Sequence, residues 1–91
     1  MFATSPEFLA VRGYEPQDDA PTGEIWADYI VSGGPVVRVI LRDGETEVIS
    51  FDRNFVVDYK VTLTGGAPWA ITRSVIENAE AAALATMGRH A

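Results

Sequence analysis

Pro35-Val-Val-Arg-Val-Ile-Leu-Arg-Asp-Gly-Glu-Thr-Glu-Val-Ile-Ser-Phe51 is the stretch on which the fold turns. Two runs rich in Val and Ile flank Asp43-Gly44, a pair that tolerates the positive φ angles of a tight turn, so the segment reads as a β-hairpin. If Asp43 and Gly44 alone form the loop, Leu41 lies opposite Thr46, Val39 opposite Val48 and Val37 opposite Ser50, a largely apolar face. The other face then sets Arg42 opposite Glu45 and Arg38 diagonal to Glu47, cross-strand charge pairs worth about 0.2–1 kcal/mol each. A three-residue loop, Arg42-Asp43-Gly44 with Gly44 left-handed in a bulge, competes with it. That loop flips the second strand and puts Ile49 and Phe51 beside Val37 and Val39. The agreement between the apolar face and the charge pairs favours the two-residue loop.

Upstream, Glu24 to Ser32 places Ile25, Ala27, Tyr29 and Val31 on one face at period two, and also sets Trp26, Tyr29, Ile30 and Gly33 at helical spacing. The density of β-branched and aromatic residues favours a strand, with Ser32-Gly33-Gly34-Pro35 as its connection to the hairpin. Glu24, Trp26, Asp28 and Ile30 then share the opposite face. Downstream, Phe51 to Asn54 reads as a turn. From Phe55 to Thr64, Phe55, Val57, Tyr59, Val61 and Leu63 alternate with Val56, Asp58, Lys60, Thr62 and Thr64, one face for a core and one for water. Four consecutive strands joined by short turns predict an antiparallel meander, each strand paired with the next.

Gly65-Gly66-Ala67-Pro68 ends the last strand and opens a C-terminal helix over 68–88, with Pro68 in the first helical position. Ile71, Val75, Ile76, Ala79, Ala82, Ala83 and Met87 fall on one stripe, while Arg73, Ser74, Glu77, Asn78 and Glu80 fall off it. Burying Ile71, Val75, Ile76 and Met87 contributes about 1.5–3 kcal/mol each, enough for helix docking to decide folding. Gly88 reads as the stop, and Arg89 and His90 suit the negative helix end. At the other terminus Ser5-Pro6-Glu7 supplies a hydroxyl cap, a first-turn proline and a first-turn acid, and Gly13 a stop. The short helix between them docks through Phe8, or else the segment is an extended arm that adds a strand to a partner. Tyr14 to Gly23, with Pro16 and Pro21 around Asp18-Asp19, reads as an acidic loop.

The expected fold is therefore α+β in a single domain spanning 1–91. A four-stranded antiparallel meander sheet (24–64) carries the C-terminal amphipathic helix (68–88) on one face. A short N-terminal helix and the acidic loop occupy 1–23.

Apolar residues make up 47% and charged residues 22%, which places the chain among globular rather than disordered sequences. The absence of cysteine excludes disulfides, thiolate metal sites and cysteine nucleophiles, and makes a cytoplasmic location the expectation. No run approaches the roughly 18 apolar residues of a membrane span, and no basic-then-apolar leader opens the chain, so neither membrane insertion nor export is expected. Of the net charge of −6, residues 1–30 carry −5, with Glu7, Glu15, Asp18, Asp19, Glu24 and Asp28 against Arg12. Such a balance argues against direct nucleic-acid binding and selects basic partners, unless the acidity serves solubility alone.

Glu15, Asp18 and Asp19 lack the alternating ligand spacing and central glycine of a calcium loop, so no metal is expected there. Gly65-Gly66 lacks the spacing and the following Lys-Ser/Thr of a phosphate loop, so no cofactor is expected. His90, the sole histidine, sits next to the C-terminal residue, a poor place to hold a general base, and no catalytic group stands out.

The expectation is a non-enzymatic protein-binding domain: a small acidic inhibitor or adaptor that occupies a basic surface of a protein partner, in the manner of a polyanion mimic. Glu15, Asp18, Asp19, Glu24 and Asp28 steer the encounter, and Trp26 and Trp69 are the candidate anchors, each weighed against ordinary burial. In size, acidity and lack of cysteine the chain is similar to phage-encoded inhibitors of host defence, anti-CRISPR proteins among them, a similarity of class that no motif carries. The chain is expected as a monomer or homodimer; the first alternative is a structural protein that assembles into a dimer or larger particle through a sheet edge or through a partly apolar outer face carrying Ile30, Val36 and Ile40. A small enzyme or ligand carrier is the second.

Overall fold

The computed structural model describes residues 4–31 and 33–89, the side chains of the last three excepted. In chain order the elements are α1 Pro6–Val11, β1 Glu15–Gln17, β2 Ile25–Ile30, β3 Val36–Arg42, β4 Glu45–Phe51, β5 Val57–Thr64 and α2 Trp69–Arg89. The strands form one antiparallel sheet in the order β1-β2-β3-β4-β5. The meander is as expected, but it has five strands rather than four, because part of the expected acidic loop pairs. Glu15 lies opposite Asp28, Pro16 opposite Ala27 and Gln17 opposite Trp26. Pro16 cannot donate to a ladder and is tolerated because β1 is an edge. Three residues with a proline among them carry neither periodicity nor β-propensity.

The hairpin takes the two-residue loop: Arg42 pairs with Glu45, Leu41 with Thr46, Val39 with Val48 and Val37 with Ser50. Of the two loop residues Gly44 alone is left-handed, at φ 82°. β2 continues the pattern, with Ala27 opposite Val39 and Tyr29 opposite Val37. One sheet face thus collects Ala27, Val37, Val39, Leu41 and Val48, all buried, with Tyr59, Val61 and Leu63 half-buried beside them.

Both helices cover that face. Ser5 caps α1, its hydroxyl accepting from Phe8 N at 3.2 Å. Gly13, at φ 100°, ends the helix, with Gly13 N donating to Ala10 O and Tyr14 N to Leu9 O. This double closure brings Tyr14 back onto Leu9, and both are buried in the core.

α2 lies over β3, β4 and β5, but its buried stripe is turned from the expected one. Thr72, Val75, Ile76, Ala79, Ala83 and Thr86 are buried, whereas Ile71 is 51% exposed. The steps 72-76-79-83-86 follow a 3.5-residue repeat. Two threonines fit this stripe because their hydroxyls have partners: Thr72 Oγ1 donates to Pro68 O at 3.3 Å, and Thr86 Oγ1 to the Asp58 carboxylate. The second bond reaches across from β5, where Ser50 pairs with Tyr59 but Phe51 with Val57, leaving Asp58 as the extra residue of a bulge.

Three element ends also differ from expectation. α2 begins at Trp69, with Pro68 before it rather than in its first position, its carbonyl accepting from Ile71 N and Thr72 N. Gly88 does not stop α2, which continues through Arg89. β5 begins at Val57 rather than Phe55, because the Asp52 carboxylate accepts from Asn54 N at 2.8 Å and Val56 N at 3.0 Å and holds 52–56 as a loop. The Met87 side chain, the roles given to Arg89 and His90 at the helix end, and Ser32 in the β2–β3 connection lie outside the described residues.

Candidate functional site

The face of the sheet turned away from the helices carries most of the expected binding residues. Its register alternates Trp26, Asp28 and Ile30 of β2 with Arg38, Ile40 and Arg42 of β3 and with Glu45, Glu47, Ile49 and Phe51 of β4. Val36, Ile40 and Ile49 are buried although no helix covers them, screened by the charged and aromatic side chains around them. The apolar outer face expected from Val36 and Ile40 is therefore closed by the protein itself, and Ile30 alone of that trio is exposed, at 65%.

Asp28 pairs with Arg38 through Nε–Oδ1 and NH2–Oδ2, both at 2.8 Å. Arg38 also lies 4.7 Å from the centre of the Trp26 ring and 5.7 Å from that of Phe51. The Asp28 hydrogen bonds raise the Arg38 pKa, outweighing the opposing effect of desolvation. Arg42 gathers three carboxylates: Glu47 at 2.6 Å, Glu45 at 3.1 Å and Glu24 at 3.2 Å. Its pKa is raised, chiefly by Glu47, which is 6% exposed and also receives Lys60 at 3.5 Å. The Trp26 indole N–H donates to Glu24 Oε1 at 2.8 Å. That bond, with Arg42, holds the Glu24 carboxyl below its ordinary value against desolvation.

Two of the five proposed steering acids, Glu24 and Asp28, are thus neutralised within the sheet, and Trp26 is a half-buried member of the same network. Glu15, Asp18 and Asp19 are exposed and form no ion pair among the described residues. Glu15 stands directly opposite Asp28 across the β1–β2 ladder, a like-charge placement that Arg38 makes tolerable by pairing with Asp28. Trp69 belongs elsewhere. It lies in the helix layer, 43% exposed, with its ring edge-on to Phe8 at 4.5 Å.

Of the three exposed acids Glu15 alone lines a trough of about 430 Å³, together with Gln17, Asp28, Ile30, Arg38 and Phe55 among others. Phe55 is the residue that sequence reasoning misses, because alternation places it on the core face of a strand. It is 65% exposed and adopts φ 59°, the one left-handed non-glycine residue among those described. Its N–H donates to Asp52 O at 3.0 Å, and its ring tilts against Phe51 at 5.9 Å. The signal available in the sequence is Asp52 two residues before Asn54, the spacing of a side-chain-closed turn. A left-handed bulky residue costs about 1–3 kcal/mol, and here burial does not offset it.

A second cluster ties the N-terminal segment to α2. Glu80 accepts from Arg12 Nε at 2.8 Å, Arg12 NH2 at 2.6 Å and the Tyr14 hydroxyl at 2.7 Å. Desolvation pushes the Glu80 carboxyl up, but the bonds from Arg12 and Tyr14 outweigh it and leave its pKa lowered. Burial first, and the bond to Glu80 second, raise the Tyr14 phenol far above its ordinary value. Helical spacing puts Glu80 off the apolar stripe as a surface residue, and nothing in the sequence marks it otherwise.

Among the described residues, no three of Asp, Glu and His are placed to hold a metal ion, and no helix is long and apolar enough to cross a membrane. No family model, curated protein or solved structure matches the chain.

Proposed function

We propose that the chain is a non-catalytic binding domain that recognises a basic segment of a protein partner at the trough beside β1 and β2. Phe55 carries this reading. A strained backbone that leaves an aromatic ring in solvent is retained at a stability cost, and such outliers concentrate where a side chain must be presented. The Asp52 bonds hold its loop in place before any partner arrives, so little ordering entropy is lost on binding. Ile30 and Phe55 supply the apolar contact, while Glu15 in the trough, with Asp18 and Asp19 in the turn after β1, supplies the charge that favours lysine and arginine.

The pairing of Glu24 with Arg42 and of Asp28 with Arg38 narrows the acidic surface from an extended polyanion to a compact rim. The perturbed titrating groups also support a binding role over catalysis: Arg12, Tyr14, Glu24, Arg38, Arg42 and Glu80 all sit in ion pairs or hydrogen bonds that hold the fold together.

Two triple charge reversals test the reading, each changing net charge by the same amount. Glu15→Lys with Asp18→Lys and Asp19→Lys should slow association with a basic partner about tenfold or more at low ionic strength. Glu7→Lys with Asp43→Lys and Glu77→Lys should leave it nearly unchanged, and Phe55→Ala should speed dissociation instead. Equal losses from the two triples would show that total charge, and not this rim, attracts the partner.

A further inference from the structure

The two edges of the sheet are protected unequally. β1 is three residues long and contains Pro16, the usual way of blunting an edge. β5 is eight residues long, has no proline, and has no strand on its outer side among the described residues.

The backbone direction along this edge follows from one bond. Gly65 N donates to Gly44 O at 2.9 Å, and the β4–β5 register sets these two residues opposite each other. Directly opposed residues that share a hydrogen bond point their N–H and C=O groups at one another, and the pattern alternates along an antiparallel ladder. Tyr59, Val61 and Leu63 therefore bond inward to Ser50, Val48 and Thr46, while Lys60, Thr62 and Thr64 turn their N–H and C=O groups outward.

We propose that this edge pairs with β5 of a second copy of the chain, antiparallel about a two-fold axis at Val61, joining the two sheets into one. A second copy fits because the outward groups match themselves. In this register Lys60 faces Thr62 of the second copy and Thr62 faces its Lys60, so that outward-pointing residues meet outward-pointing residues. On the helix side Val61 meets Val61, and Tyr59 meets Leu63 on either side of the axis, a continuous apolar row. Lys60 disfavours a two-fold at its own position, which would oppose two lysines, whereas this one sets each lysine against a threonine and keeps Val61 against Val61.

α2 leaves the edge accessible. Its flank holding Trp69 and Glu80 faces α1, so helical spacing puts Ile71, Asn78, Ala82 and Ala85 on the flank towards β5, where all but Ile71 are short. The two-fold leaves both copies of α2 on the same face of the joined sheet.

Thr62→Lys sets the introduced ammonium group against Lys60 of the other copy, once on each side of the axis, while inside one chain it faces Glu47 and spares the fold. Light scattering on eluted fractions and sedimentation over a range of concentrations should show a dimer for the unaltered chain. Thr62→Lys should weaken it about tenfold. Adding Lys60→Glu to Thr62→Lys should restore it, since the introduced carboxylate of each copy then faces the introduced ammonium of the other. Thr62→Pro removes an outward N–H without touching the β4 ladder and should give a folded monomer by circular dichroism. A chain that stays monomeric at every concentration overturns the proposal, as does a dimer indifferent to Thr62→Lys and Thr62→Pro.

Discussion

Replacing Glu80 with alanine should release the N-terminal segment from α2, and the size of the effect follows from what is left behind. The Arg12 guanidinium loses both bonds of a bidentate pair, and the Tyr14 hydroxyl loses its acceptor inside a residue that is 2% exposed. A hydrogen bond to a charged group contributes about 1.5–3 kcal/mol, and removing one partner leaves the desolvation of the other uncompensated. The pair is partly screened, with side chains 28% and 20% exposed, which keeps the loss below that of a fully buried pair. The expected destabilisation is about 2–3 kcal/mol, out of a total of about 5–14 kcal/mol for a chain of this length. At about 4–8 °C per kcal/mol the melting temperature should fall by about 8–24 °C. In a double-mutant cycle Tyr14→Phe and Glu80→Ala should couple by about 1 kcal/mol, because each removes the same bond.

The pH dependence has a definite sign. Glu80 has a folded-state pKa below its ordinary value of 4.5, so the unfolded chain binds its proton first as the pH drops. Its contribution is therefore complete above about pH 4.5 and is lost as the pH falls through the folded-state value. Glu80→Gln should lower stability at pH 7 and flatten the acid limb of the stability curve. Calorimetric scans and urea titrations from about pH 3 to pH 7 measure both quantities. Indistinguishable melting of the unaltered chain and Glu80→Ala at pH 7, or zero coupling with Tyr14, would refute this account of how the N-terminal segment is held.

Gly44→Ala should cost about 1–2 kcal/mol in urea unfolding through the left-handed backbone alone, since a Cβ there would meet nothing within 4 Å. Ile76→Ala should cost about 2–5 kcal/mol and Ile71→Ala less than about 0.5 kcal/mol. Equal costs at the two positions would contradict the observed face of α2.

The hairpin was legible because three independent signals agree on one register: the Asp43-Gly44 turn, the apolar positions and the Arg42–Glu45 pair. β1 was not, because a strand of Glu, Pro and Gln forms only where a neighbour already offers a ladder. α2 was legible as a helix but not in phase. Ile71 scores as apolar and Thr72 as polar on any hydropathy scale, yet the carbonyl of Pro68 satisfies the Thr72 hydroxyl and the sheet leaves Ile71 outside. The phase of a helix short of large side chains is set by which residues fit against the sheet, and four of the seven residues assigned to the expected stripe are alanine or valine. Glu80 shows the same limit for charge: its partners Arg12 and Tyr14 lie 68 and 66 residues away, and only the closed fold brings them together.

The outer face shows how register decides which charges the fold takes up for itself. Asp28 and Asp19 look alike in the sequence. Asp28 lies opposite Arg38 in the β2–β3 ladder, and the same register carried one step beyond Ile25–Leu41 sets Glu24 against Arg42, where the ion pair is found. Two acid–base matches from one register mark these carboxylates as part of the sheet's own cohesion, and their removal should loosen β2 before it weakens any encounter. Asp18 and Asp19 lie in the turn after β1, where no cross-strand neighbour exists to neutralise them, and Glu15 faces an aspartate already engaged with Arg38. Of the acidity left over after the ladder is satisfied, Glu15 shares the trough with Phe55, whereas Asp18 and Asp19 follow Gln17, whose partner Trp26 lies towards the other end of β2 from Ile30. On the proposed reading, Glu15 and the ring of Phe55 in one trough are what would separate a surface that meets a basic partner from one that is acidic only on average.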